Sequence, residues 1–115
     1  MIAKSEVQTR IFDVAAATVK PNAANPSGNK GAVAMRFGFE DSTFIFLNCH
    51  LCGGAHPKNV EERHEQLNQI SQQVYKGERG TQYHGYQIQN HNVKVLFGDL
   101  NFRINLPKSE MNGLI

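Results

Sequence analysis

Near the C-terminus a strand-like run, Val93-Lys94-Val95-Leu96-Phe97, leads into Gly98-Asp99, and Asn101 follows after one apolar residue. Hydrolysis of a phosphate monoester needs neutralised phosphoryl oxygens, a positioned nucleophile and a stabilised leaving alkoxide. In that chemistry Asp99 is the candidate to orient or deprotonate an attacking water, and Asn101 to hold that water or a phosphate oxygen through its amide. If the strand continues, Leu100 points the opposite way and the two polar side chains share a face. Gly-Asp and Asn are also ordinary turn formers after a strand, so the pair alone is open to both readings. His50 closes a second apolar run, Thr43-Phe44-Ile45-Phe46-Leu47-Asn48-Cys49. A histidine there can donate to a phosphate oxygen or protonate a leaving group, or else sit in the core satisfied by backbone.

Gly28-Asn29-Lys30-Gly31 offers a point charge on Lys30, with glycines that let backbone amides approach an anion. It is not a Walker A loop, because no Lys-Ser or Lys-Thr follows and Gly31 opens a strand rather than a helix. Taken alone it is a turn with a solvated lysine. Cys49 and Cys52 form a C-x-x-C with no second such pair, and His56 or His64 would have to complete a mixed zinc site. Chance proximity of two free thiols is the reading preferred here.

Positioning these groups requires strands alternating with a helix, which makes this an α/β layered domain. Val7 to Phe12 and Val14 to Val19 read as short strands, and residues 20 to 29, dense in Pro, Asn and Gly, as a loop. From Ala32 to Phe39 alternation puts Val33, Met35, Phe37 and Phe39 on one face and Ala32, Ala34, Arg36 and Gly38 on the other. Glu40-Asp41-Ser42 makes a hairpin turn. The Thr43 to Cys49 run, apolar on both faces, suits a central strand covered on each side. Asn59 and Glu62 resemble a capping box, and Val60, His64, Leu67, Ile70 or Ser71, and Val74 recur at helical spacing, predicting a helix from Val60 to Tyr75. Residues 77 to 92 read as an exposed connection of little content. Strand, helix, strand is a crossover order, so His50 and Asp99 are expected at the C-terminal ends of neighbouring parallel strands, where ligand sites concentrate.

The chain of 115 residues has room for one core and carries a formal charge of +2, too small to argue for nucleic acid or an anionic bilayer by bulk field. No apolar run approaches the ~20 residues of a membrane span. The start Met1-Ile2-Ala3-Lys4-Ser5-Glu6 lacks the features of a secretory signal, so a reducing, cytoplasmic compartment is expected.

In order and spacing, Gly28-Asn29-Lys30-Gly31-Ala32-Val33, then Asn48-Cys49-His50-Leu51, Glu62-Arg63, and Gly98-Asp99-Leu100-Asn101-Phe102-Arg103-Ile104 resemble the inositol polyphosphate 5-phosphatases. The likeness runs from about Ile2 to Pro107. It implies the α/β sandwich of the deoxyribonuclease I-like endonuclease/exonuclease/phosphatase superfamily, and magnesium-dependent removal of the 5-phosphate from phosphoinositides or soluble inositol polyphosphates. By resemblance Asp99 activates the water, Asn101 positions it, and His50 binds the scissile phosphate. Asn29 and Lys30 face the substrate's phosphates, and Arg103 braces the loop beside them. Peripheral contact with membranes, without a transmembrane segment, is implied as well.

The sequence departs from the family in several places. The family's metal-binding glutamate has no counterpart around Glu6, so no metal ligand is assigned in this chain. The Pro-x-Trp-Cys-Asp-Arg segment and the later Asp-His pair are absent, and His64 stands where the family has Asn. Residues 1 to 115 are therefore expected to be part of a catalytic domain incomplete at both ends and inactive alone. The competing expectations are a nuclease of the same fold and a non-catalytic phosphoinositide-binding remnant.

Overall fold

The computed structural model describes residues 3–21, 29–76, 86–104 and 108–111. A one-turn helix α1 (Ser5–Gln8) precedes β1 (Ile11–Val19), β2 (Gly31–Phe39) and β3 (Ser42–His50). The long helix α2 (Pro57–Gln73) then crosses to β4 (Val93–Asp99) and a final turn α3 (Lys108–Met111). The strands form one sheet in the order β1-β2-β3-β4, antiparallel except for the parallel β3–β4 pair. This is the expected α/β arrangement, with the crossover helix between the two parallel strands. The residues expected to form a loop at 22–28 and the connection at 77–85 lie outside the described residues.

Several local expectations are corrected. Of Val7 to Phe12 only Ile11 and Phe12 are strand, opening β1: Val7 N–H donates to the Lys4 carbonyl and Arg10 N–H to the Val7 carbonyl, each at 3.0 Å, so short-range bonds close a helical turn first. β1 then includes Asp13, whose positive φ of 54° accompanies a register shift between Phe12 and Ala15. α2 begins three residues earlier than the capping box suggested. His56 is its N-cap, its Nδ1 accepting from Lys58 N–H, and Pro57 supplies the fixed φ of a first turn. Asn59 instead donates to the Gly53 carbonyl at 2.6 Å.

The buried face of the sheet is the one with the smaller side chains. Ala32, Ala34, Ile45, Leu47 and Cys49 pack with Ile70, Val74 and Tyr75 in a single cluster. Short side chains on β2 let the helix side close on the sheet, and full burial of an Ile or Leu contributes roughly 1.5–3 kcal/mol. The larger set on β2 and β3 lies on the opposite face, where Phe37 stacks on Phe44 at 5.2 Å and on Phe46 at 5.9 Å, half-buried. β3 is central, as expected, but is fully buried on one face among the described residues.

The segment read as uninformative includes part of the core. Arg36, on the buried face, donates from Nε to His91 Nε2 at 3.0 Å, pairs with Asp13 Oδ2 at 2.5 Å, and lies 3.9 Å over the Tyr86 ring. Tyr86 O–H bonds to Asp13. A charge buried this deeply persists because every neighbour turns a compatible atom or ring toward it.

Candidate active site

The sheet brings its polar termini into one row. β2 starts where β3 ends, and β4 runs parallel to β3, so Gly31 pairs with His50 and His50 with Asp99. His50 and Asp99 therefore do share the C-terminal edge that the crossover order predicted. Lys30, the residue before β2, reaches His50 with Nζ 2.6 Å from Nε2. An ammonium only donates, so in this contact Nε2 takes the acceptor role. Asp99 Oδ2 lies 3.6 Å from the same nitrogen, and both His50 and Asp99 are largely open to solvent.

Gly98 makes this row possible. Its φ of +113° is a conformation that L side chains avoid, and a Cβ there would fall 2.5 Å from Asn48 Oδ1 and 2.9 Å from Cys49 N. Strand geometry ends at Asp99. Asn101 adopts a left-handed φ of 55°, which asparagine tolerates, and its N–H donates to Asp99 Oδ1 at 3.1 Å. Alternation thus does not place Asn101, as was expected; a side-chain-capped turn does. The turn and the candidate site are the same structure, since it fixes one Asp99 oxygen and leaves the other toward His50.

Asn101 then ties this turn to the loop after His50, its Nδ2 donating to the Leu51 carbonyl at 2.9 Å. Arg103 reaches Asn101 Oδ1 at 3.4 Å. Asn29 is exposed and Lys30 half-buried, and both line a cleft of about 310 Å³ that His50 also borders. Gly28 lies outside the described residues.

Sequence reasoning missed the brace behind this edge. α2 buries Arg63, Gln66 and Ile70, whereas His64, expected on the buried stripe, is exposed. Arg63 NH1 donates to the carbonyls of Cys52 and Gly54, both at 3.1 Å, and Gln66 Oε1 accepts from Cys52 N–H at 2.9 Å. The Arg63 guanidinium also lies 5.4 Å from the Phe102 ring, joining α2 to the Asp99 loop. The three-then-four spacing of Arg63, Gln66 and Ile70 is the signal that could have revealed it. Cys49 and Cys52 are free and buried, and desolvation raises both thiols above their ordinary value. No group of three or more His, Cys, Asp or Glu comes together among the described residues.

A model of the endonuclease/exonuclease/phosphatase family 2 matches residues 1–115. The chain belongs to that family. Phosphatidylinositol 3,4,5-trisphosphate 5-phosphatase 2A of Danio rerio is 33% identical to it over 112 residues, covering 96% of this chain and 8% of the relative. A polyphosphatidylinositol phosphatase of Saccharomyces cerevisiae is 34% identical over 108 residues, covering 94% of this chain and 9% of the relative. Among solved structures, the inositol polyphosphate 5-phosphatase domain of SPsynaptojanin, in complex with inositol (1,4)-bisphosphate and calcium ion, superposes with a TM-score of 0.71 at 33% identity. That match covers 91% of this chain and 28% of the other. The chain thus spans less than a tenth of these two curated relatives and under a third of the solved neighbour.

The family fold and the motif resemblance agree on the 5-phosphatases. For a divalent cation the residues at hand are a poorer fit. Magnesium commonly takes one or two carboxylates together with substrate phosphates. Asp99 is the carboxylate that lies beside His50 here, and Lys30 already places a positive charge next to that histidine. The described residues do not form a magnesium site by themselves.

Proposed function

We propose that this chain supplies the Lys30–His50–Asp99 edge of a phosphatase that removes the 5-phosphate from phosphoinositides or soluble inositol polyphosphates. The observation that carries the reading is the row Gly31, His50, Asp99 across three strands, with Lys30 Nζ 2.6 Å from His50. A phosphate arriving at this edge meets the Lys30 ammonium, which can turn from His50 Nε2 to a phosphoryl oxygen. Asp99, held at Oδ1 by Asn101 N–H, keeps Oδ2 for the proton of an attacking water. Asn101 and Arg103 brace this turn, and Asn29 lines the cleft where the rest of the substrate lies.

Magnesium dependence belongs to the proposal on the chemistry of the reaction, since a hard cation neutralises phosphoryl charge. The 115 residues alone are inactive in this reading, because among the described residues Asp99 stands at this edge beside His50 without a second carboxylate for a metal. A cytoplasmic enzyme touching membranes peripherally fits a chain in which, among the described residues, no helix is long and apolar enough to cross a membrane. That no three His, Cys, Asp or Glu come together for a metal among the described residues also supports a second reading, a phosphoinositide-binding remnant without turnover.

The test is release of inorganic phosphate from phosphatidylinositol 4,5-bisphosphate with magnesium, by the protein carrying this chain, beside nicking of plasmid DNA. Phosphate release without nicking, reduced about 10²–10⁴-fold in Asp99→Asn, is expected. Binding without release favours the remnant, and nicking without phosphate release overturns the phosphatase reading.

A further inference from the structure

We propose that Gln66, on the buried side of α2, is a positioning residue for the Asp99–Asn101 turn, acting through the single peptide group between Leu51 and Cys52. The proposal rests on the functional reading above, in which Asp99 faces the attacking water. The Leu51 carbonyl accepts from Asn101 Nδ2 at 2.9 Å, and the Cys52 N–H of the same peptide donates to Gln66 Oε1, also at 2.9 Å. A trans peptide is planar, with its carbonyl and its N–H pointing in opposite directions, so the plane cannot turn at one partner without turning at the other. The link onward to Asp99 is as short. Asn101 N–H donates to Asp99 Oδ1 at 3.1 Å, and Leu51 N–H donates to the Asp99 carbonyl at 3.0 Å. Leu51 therefore holds both ends of the turn, and Gln66 holds the peptide by which Leu51 reaches Asn101.

The loop that this peptide opens is held along its length. The carbonyls of residues 51 to 54 each accept from a side chain: Asn101 at Leu51, Arg63 at Cys52 and Gly54, and Asn59 at Gly53. Arg63 and Asn59 grip the loop beyond the Leu51–Cys52 peptide, whereas Gln66 takes hold of the plane that Asn101 shares. Gln66 is 3% exposed, and its Nε2 has no hydrogen-bond partner among the described residues. Turning the amide over would set its NH2 against the Cys52 N–H, donor against donor, so Oε1 keeps its place. An apolar side chain of similar volume would fill this position without leaving a buried nitrogen unpaired. What the amide adds is the acceptor that fixes the peptide.

The test uses the protein carrying this chain. Gln66→Met keeps the volume and removes the acceptor, so kcat for phosphate release from phosphatidylinositol 4,5-bisphosphate should fall about tenfold while KM stays within about twofold. Gln66→Glu keeps the acceptor, one helical turn from the buried Arg63 guanidinium, and should retain kcat within about threefold. Gln72→Met, on the exposed side of α2, should change neither constant. If Gln66→Met does not fold, Gln66→Asn, which draws the acceptor back by a methylene, takes its place. Hydrogen exchange supplies a readout that does not need turnover. In Gln66→Met the amides of Leu51, Cys52 and Asn101 should all exchange about tenfold faster, while that of Val74, bonded to the Ile70 carbonyl at the end of the same helix, keeps its rate. Faster exchange confined to Cys52, an equal rise at Val74, or a kcat unchanged in Gln66→Met or equally low in Gln66→Glu overturns the positioning role and leaves the functional reading standing. If the unsubstituted protein releases no phosphate, the functional reading fails, and the Asn101 amide alone decides whether Gln66 positions the turn.

Discussion

Replacing Gly98 by alanine should damage stability and the candidate site together. The added methyl would meet Asn48 Oδ1 at 2.5 Å and Cys49 N at 2.9 Å, and would fall closer still to the Cys49 carbonyl oxygen. Two of these three atoms are backbone of β3, so no side-chain rotation relieves them. Overpacking of this kind costs about 1–3 kcal/mol. Holding a non-glycine residue at a φ of +113° costs a further 1–3 kcal/mol or so. Together they predict a loss of about 2–6 kcal/mol, which at a slope near 2 kcal/mol per molar lowers the urea midpoint by about 1–3 M. Because Gly98 pairs with Cys49 one residue before His50 pairs with Asp99, relief of the clash must part the strands at the site. Phosphate release should therefore fall well beyond what the unfolded fraction explains. A loss below about 1 kcal/mol would show that the β3–β4 edge yields to the added methyl and that the His50–Asp99 spacing is not fixed by it.

Arg63→Met removes the donors that hold the Cys52 and Gly54 carbonyls. It also removes two buried nitrogens, Nε and one terminal NH2, that have no hydrogen-bond partner among the described residues. The net loss should be about 2–3 kcal/mol in urea unfolding, less than the bonds alone suggest, with faster amide exchange at Cys52. Acid should weaken the Arg36 corner. Burial holds His91 below its ordinary 6.5, so the unfolded chain takes up the proton first and stability drains as pH falls from about 6.5 toward the lower folded value. Asp13, lowered from 3.8 mainly by the Tyr86 hydrogen bond, adds a loss of the same sign at lower pH. Thermal midpoints measured from pH 7.5 to 5 should fall, and His91→Gln, which keeps an acceptor for Arg36 without titrating, should flatten the profile over that interval.

Much of the fold was legible because its signals are local. Alternation over Ala32 to Phe39, the two-residue Glu40-Asp41 turn between Phe39 and Ser42, and the helical periodicity after Pro57 each come from residues near one another in sequence. The crossover order then placed His50 and Asp99 at one edge. Which face of β2 would be buried was not legible, since alternation defines two faces and only packing against α2 selects the one with alanines. Nor was the burial of Arg36 and Arg63, charged residues whose partners lie 55 and 11 positions away at His91 and the Cys52 carbonyl.

For the candidate site the division is similar. Residue type made Lys30, His50, Asp99 and Asn101 candidates for meeting a phosphate and an attacking water, and their sequence order marked the family. Tertiary structure decided how they meet. It joined Lys30 to His50 across 20 residues and ended the strand at Asp99 so that Asn101 caps a turn. Hydrogen-bond register and the close approach at glycine are properties of strands laid side by side. A linear chain specifies which groups are available, and only the folded sheet fixes the distances between them.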